Sequence, residues 1–239
     1  MIYILIPVFN EEGTIANLYN ELKLILSGEE KLFVFSDDGS TDKSVSVLKE
    51  YFKDLPHKII SDGINRGPGC AFNIGFNWIL EDSKNDADIV VTLEADCTSD
   101  LSILPHMLGI NKMGYELVLA SVYAQGGGFD KTSFLRRLIS SVANLLYRFL
   151  FNLNVQTLSS FYRVYTISLL RRVKTKYGEL IINNGFICML EILIKAICCN
   201  TKVIEVPMLL QSNKRVGKSK MKVVKTSLQY FHFLITFKR

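Results

Sequence analysis

The sequence predicts an α/β fold, a mostly parallel sheet with helices on both faces. Two observations carry that reading. Short apolar runs of β-favouring residues alternate with stretches of helical periodicity through the first half of the chain, in the order βαβαβαβαβ. Three of the first four strands end at once in acidic or amide clusters, Asn10/Glu11, Asp37/Asp38 and Glu94/Asp96. That is the end at which open α/β sheets bind ligands. One such cluster is ordinary turn chemistry; three on one rim point to a site.

The elements follow in order. Residues 2–8 read as a first strand, since Met1 to Pro7 lack the basic start and cleavage site of a signal peptide. Ile15, Leu18, Leu22 and Ile25 recur at helical spacing to about residue 27. Residues 31–36 form the second strand, and Thr41 or Asp42 is placed to cap a helix carrying Val45, Leu48 and Phe52. Strand three spans 57–61. After the Asn65-Arg66-Gly67-Pro68-Gly69 break, a helix spans 71–80. Strand four covers 87–93, a helix 101–113 and strand five 116–121.

The second half differs. Gly126-Gly127-Gly128 reads as a flexible loop, followed by an amphipathic helix over 134–150. Its apolar stripe includes Leu138, Val142, Leu145 and Phe149, and its remaining surface carries Arg136, Arg137 and Arg148. Such a helix suits either a core or a membrane interface. An apolar helix over 185–199 places Glu191 and Lys195 at ion-pair spacing. A strand over 201–210, a basic segment and a closing helix from Val223 to Ile235 complete the chain.

With 239 residues, 49% hydrophobic and 21% charged, the chain has room for one large α/β domain or two small ones with a substantial core, which excludes global disorder. Net charge is 28 − 23 = +5, and Lys214, Arg215, Lys218, Lys220, Lys222 and Lys225 lie close together. The five cysteines have no metal-type spacing and read as reduced cytosolic thiols. No uninterrupted apolar run is long enough for a membrane-spanning helix.

The chemistry centres on the strand that ends in Glu94-Ala95-Asp96. Two carboxylates one residue apart suit a hard divalent cation, and the cation suits a diphosphate.

Five motifs occur in sequence order: Pro7-Val8-Phe9-Asn10-Glu11-Glu12, Asp37-Asp38-Gly39-Ser40-Thr41-Asp42, Asn65-Arg66-Gly67-Pro68-Gly69, Glu94-Ala95-Asp96 and Gly217-Lys218-Ser219-Lys220. Together they resemble the inverting family-2 glycosyltransferases of the GT-A (nucleotide-diphospho-sugar transferase) fold. Within them the set is most similar to the dolichol-phosphate mannosyltransferase and polyprenyl-phosphate glycosyltransferase branch. The resemblance covers about residues 2–225 and implies a single GT-A domain over 1–239, with a nucleotide-sugar half (1–122) and an acceptor half (123–239) whose amphipathic helices face a membrane.

The resemblance implies roles residue by residue. Pro7, Phe9 and Glu11 line the nucleotide pocket, with Asp37 or Asp38 on base and ribose. Asp96 holds Mg²⁺ or Mn²⁺ against the diphosphate, with Ala95 and Glu94 beside it. Lys214 and Lys220 bind phosphate, and Arg136 with Lys220 meets the acceptor phosphate. Catalysis then rests on Asp96, Arg136 and Lys220. The donor is a GDP- or UDP-sugar and the acceptor a polyprenyl phosphate, at the cytoplasmic face of a membrane, with attachment by the amphipathic helices or a separate anchoring subunit; nucleic acid is not a partner. Three positions depart from the usual pattern: Glu94 replaces aspartate, Lys214 replaces arginine and Val122 replaces an arginine between Ser121 and Tyr123. The processive Gln-x-x-Arg-Trp motif is absent, which argues against long polysaccharide synthesis.

Two other readings stand beside this one. A saccharide hydroxyl acceptor requires a general base, and Glu191 or another rim carboxylate is the candidate. A degenerate GT-A scaffold that binds nucleotide or membrane is the non-enzyme alternative.

Overall fold

The computed structural model describes residues 1–130, 134–151, 153–216 and 223–236. Its core is a seven-stranded sheet built from β1 (Ile2–Val8), β2 (Lys31–Asp37), β3 (His57–Ser61), β4 (Ile89–Thr92), β5 (Leu117–Ser121), β7 (Arg163–Thr166) and β8 (Val203–Pro207), in the order β3-β2-β1-β4-β7-β5-β8. All neighbouring pairs are parallel except those made by β7, which runs antiparallel to both β4 and β5.

Alternation along β1 explains the two helical layers. Ile4, Ile6 and Val8 pack with Ile15, Leu18 and Leu22 of α1 (Ile15–Ile25), Leu48 of α2 (Ser44–Tyr51), and Leu104 and Met107 of α4 (Leu104–Lys112). Tyr3 and Leu5 point the other way, to Phe72, Phe76 and Ile79 of α3 (Pro68–Asp82), Leu169 and Val173 of α6 (Ile167–Tyr177), and Ile192 and Leu193 of α7 (Cys188–Ile197). Successive strand residues face opposite sides, so a strand that is apolar throughout requires cover on both. Each fully buried aliphatic or aromatic side chain contributes roughly 1.5–3 kcal/mol.

Most expected elements are found within a few residues of their predicted ends, and several differ for physical reasons. The second helix starts at Ser44 rather than at a Thr41 or Asp42 cap, although the Asp42 carboxylate does accept the Ser44 amide at 2.9 Å. The third begins earlier than residue 71, because Pro68 suits the first helical turn. The 101–113 helix opens with a 3₁₀ turn, Leu101–Ile103. The 201–210 run is two strands: Pro207, which lacks an N–H, closes β8, and β9 (Leu209–Leu210) turns away to pair with β6 (Gly128–Phe129) in a small second sheet. Thus Gly128, the last residue of the triglycine segment expected as a loop, opens a strand, while Gly126 and Gly127 lie outside it. β7 and α6 arise from 151–184, where the sequence reading placed no element.

Two buried ionic groups organise the side near α7. Glu191 and Lys195 are 1% and 2% exposed and pair at 2.7 Å. Glu191 also accepts the amides of Ile182 and Asn183, while Lys195 donates to the carbonyls of Glu179 and Leu180. The pair thereby fixes the 179–185 loop. Arg163, fully buried in β7, donates to the carbonyls of Leu158, Ser160 and Met189 and to the Tyr165 hydroxyl.

The clamped loop meets the head of α3. The Gly69 amide donates to Asn184 O at 2.8 Å, and a Cβ at Gly69 would lie 1.9 Å from Asn183 O. The backbone there leaves no room for a side chain. Gly69→Ala is therefore expected to cost about 2–4 kcal/mol, read as a lower urea midpoint at unchanged slope.

Helix α5 (Phe134–Phe151) and α8 (Val223–Thr236) pack through Tyr147 and Tyr230, whose rings meet edge-on at 5.5 Å while the Tyr147 hydroxyl donates to Tyr230 O. Val142, Leu145, Leu146, Phe149 and Leu150 on α5, and Leu228 and Phe231 on α8, are exposed, Phe149 to 83%. Among the described residues no helix is long and apolar enough to cross a membrane.

Candidate active site

The strand order β2-β1-β4 brings three sequence clusters to one rim. At the end of β1, Asn10 adopts a left-handed backbone, φ 52°, and its side-chain carbonyl accepts the Thr41 amide at 2.7 Å. This ties the first cluster to the second. Pro7, Phe9 and Glu11 are half-buried along the same edge, and Glu11 accepts the Thr14 hydroxyl at 2.9 Å.

The two aspartates at the end of β2 are held differently. Asp37 accepts the Ser40 amide at 3.2 Å and the Ser61 hydroxyl at 2.6 Å. It lines a cleft of about 190 Å³ with Ser36, Ile60, Ser61, Asp62 and Ile74. Asp38 instead clamps the loop before α3, accepting the amides of Arg66 at 2.8 Å and Gly67 at 2.9 Å. Burial pushes its carboxyl up, against the pull of those two amides. Asp37 is thus the aspartate that lines open space. Gly67 and Gly69 pack against the 183–184 backbone, which accounts for both glycines without a ligand.

The third cluster follows β4. Cys97 has φ 58°, a strained conformation for a residue with a side chain, of order 1–3 kcal/mol. That turn sends the chain back on itself. The amide and hydroxyl of Thr98 then donate to Asp96 Oδ1 at 3.1 and 2.7 Å, and the Ser99 hydroxyl donates to Glu94 Oε2 at 2.7 Å. Burial, reinforced by the neighbouring Asp96 carboxylate, pushes the Glu94 carboxyl up to about 7. Ala95 is buried between the two acids.

From the far end of the chain, Arg215 reaches Asp96 Oδ2 with Nε at 2.8 Å and Nη2 at 2.6 Å. Lys214 is drawn elsewhere, to Glu21 on α1 at 2.7 Å. A cleft of about 340 Å³ is lined by Asn17, Asn20, Glu21, Cys97 and Lys214. Among the described residues, Arg215 rather than Lys214 is therefore the cation that meets Asp96. Arg136 falls within α5, but its side chain lies outside the described residues, as does Lys220 entirely.

The donor set fits a divalent cation. Glu94, Asp96 and the Thr98 hydroxyl offer hard oxygen ligands, as Mg²⁺ and Mn²⁺ prefer, and Asp96 already attracts a guanidinium. Among the described residues no group of three or more His, Cys, Asp or Glu side chains is assembled for metal binding. Thr98, Ser99 and Ser61 were not anticipated as site residues; the only signal for the first two is hydroxyls placed just after a carboxylate pair.

Comparison with known proteins gives the family and the fold. The sequence profile "Glycosyl transferase family 2" matches residues 3–176. A dolichol-phosphate mannosyltransferase of Pyrococcus furiosus is 26% identical over 235 residues, covering 97% of this chain and 62% of its own length. The chain thus spans less than two thirds of that relative. A polyprenol monophosphomannose synthase of Mycolicibacterium smegmatis is 24% identical over 91% of this chain and 80% of its own. The crystal structure of glucosyl-3-phosphoglycerate synthase from Mycobacterium tuberculosis with Mn²⁺ and uridine-diphosphate-glucose superposes with a TM-score of 0.69, at 18% identity, over 99% of this chain and 78% of that one; at that identity the likeness shows the fold. Profile match, fold and motif order agree: the chain belongs to glycosyl transferase family 2 and has the GT-A fold.

Proposed function

We propose that the chain transfers a sugar, with inversion, from a GDP- or UDP-linked donor to a polyprenyl phosphate at a membrane surface. The relatives named for dolichyl and polyprenyl phosphate transfer support this reading. Asp37, Glu11, Pro7 and Phe9 hold the nucleoside, and Glu94 and Asp96 hold Mg²⁺ or Mn²⁺ near the diphosphate. Bound there, the cation neutralises charge on the departing nucleoside diphosphate. Arg136 and Lys220 receive the acceptor phosphate, with Lys214 and Arg215 as further cations for phosphate.

The observation that carries the choice of acceptor concerns Glu191. A sugar hydroxyl needs a base to take its proton, whereas a phosphate monoester is already anionic near neutral pH. Glu191, the base candidate named beside other rim carboxylates, is 1% exposed and bonded to Lys195 and to two backbone amides. It has no free face to offer a substrate. A chain that supplies cations near its carboxylate rim suits an attacking group that arrives ionised.

The exposed apolar faces of α5 and α8 fit the same reading. Residues 206–239 contain eight Lys or Arg and no Asp or Glu. An apolar face flanked by cations favours an anionic bilayer surface, which supports a peripheral enzyme; on this reading it works at the cytoplasmic leaflet, with or without a separate anchoring subunit.

The test is a screen of GDP- and UDP-sugars with Mn²⁺, with and without a short-chain prenyl phosphate. Release of nucleoside diphosphate that depends on the prenyl phosphate, with a lipid-linked sugar seen by mass spectrometry, is the expected result. Equal turnover onto a free saccharide without any lipid phosphate would overturn it in favour of a hydroxyl acceptor.

A further inference from the structure

Asp96 has every acceptor position filled. A carboxylate offers about four lone-pair sites. Here Oδ1 takes the Thr98 amide and hydroxyl, and Oδ2 takes Nε and Nη2 of Arg215. A metal ion that binds Asp96 must displace one of these partners. The two candidates are not equal. Thr98 is 1% exposed and tied to Asp96 through its own backbone, two residues away. The Arg215 side chain is 27% exposed and comes from a segment 119 residues distant. Like charge adds to the asymmetry, since a guanidinium and a divalent cation on one carboxylate repel each other.

That segment is held at several points around the rim. The Gln211 amide donates to Thr98 O at 2.9 Å, Lys214 pairs with Glu21, and Val216 Cγ1 lies 3.4 Å from where a Cβ would stand on Gly13. Residues 211–216 therefore cross the carboxylate rim as a strap, fastened at Asp96 by Arg215.

We propose that Arg215 is a latch: it occupies Asp96 in place of the divalent cation, and metal loading releases it together with the 211–216 strap. The inference rests on the reading of Asp96 as a cation ligand. The release is an exchange of one positive ligand for another on the same carboxylate and requires no proton transfer. By linkage, whatever Arg215 costs the metal in affinity, the metal costs the strap in closure. The freed guanidinium is then available to the anion that arrives with the metal. Phosphate oxygens suit its planar donor fork.

The test uses Mn²⁺ alone, without nucleotide, titrated by calorimetry into the wild-type chain, Arg215→Gln and Arg215→Lys. Removing the latch is expected to tighten Mn²⁺ binding roughly fivefold, the order of one partly exposed, well-oriented ion pair. The lysine variant falls between, because it keeps the charge without the fork. A second readout needs no variant: trypsin cleaves after Lys214 and Arg215, and Mn²⁺ is expected to accelerate cleavage there in the wild-type chain. Equal or weaker Mn²⁺ binding by Arg215→Gln, or cleavage indifferent to Mn²⁺, overturns the latch while leaving the metal site standing. Mn²⁺ that binds none of the three proteins, even with GDP or UDP added, removes the metal site and the latch together.

Discussion

Asp96→Ala is expected to abolish sugar transfer, lowering kcat by about 10³-fold or more while costing only about 1–3 kcal/mol of stability. The two effects separate because Asp96 stands at the rim. Its partner Arg215 is partly exposed and finds water when the carboxylate goes; only the buried Thr98 amide and hydroxyl lose an acceptor, and no apolar cavity opens. Asp96→Asn sharpens the test, since it keeps the shape and one acceptor oxygen but removes the charge. If charge is the requirement, asparagine fails nearly as badly as alanine. Turnover of the nucleotide sugar with a short-chain prenyl phosphate, beside a urea melt of each variant, gives both numbers. Wild-type kcat in Asp96→Ala would remove the carboxylate from the mechanism altogether.

The largest loss of stability is expected from Glu191→Ala. It strands the Lys195 ammonium, 2% exposed, with no counter-charge beside the carbonyls of Glu179 and Leu180 and the Tyr177 ring at 5.6 Å. It also leaves the amides of Ile182 and Asn183 without their carboxylate acceptor. Breaking one side of a buried pair costs about 3–5 kcal/mol. The double change Glu191→Leu with Lys195→Met is expected to recover a large part of that loss, because removing both charges avoids the stranded one. The urea midpoint measures both. A single-variant cost below about 1 kcal/mol would mean that the 179–185 loop is held by something else.

Those two sites also show how far the sequence could be read. The first five strands were legible because each apolar run is bounded by Gly, Pro, Asp or Asn, so pattern and punctuation agree. The carboxylate pair was legible for the same reason, at the end of a run apolar on both faces. The ion pair of Glu191 and Lys195 followed from spacing alone. β7 was not legible. Arg163-Val164-Tyr165-Thr166 is only four residues long and begins with a charge that no central strand advertises. It becomes a strand because the surrounding carbonyls of Leu158, Ser160 and Met189 satisfy the guanidinium, and nothing within the four residues reveals them. The partner of Asp96 was hidden by distance. Lys214 and Arg215 are adjacent, and which of them meets Asp96 depends on Glu21 capturing the other.

The antiparallel insertion of β7 has a consequence for biosynthesis. β4 and β5 emerge from the ribosome well before Arg163–Thr166, and neither pairs with the other in the finished sheet. Until that short strand arrives, both present bare, apolar, hydrogen-bonding edges, the kind that recruit other chains. A nascent chain halted near residue 122 would therefore be sticky rather than half finished, and its safe passage depends on the speed with which the remaining residues are translated or on a chaperone that shields those edges meanwhile.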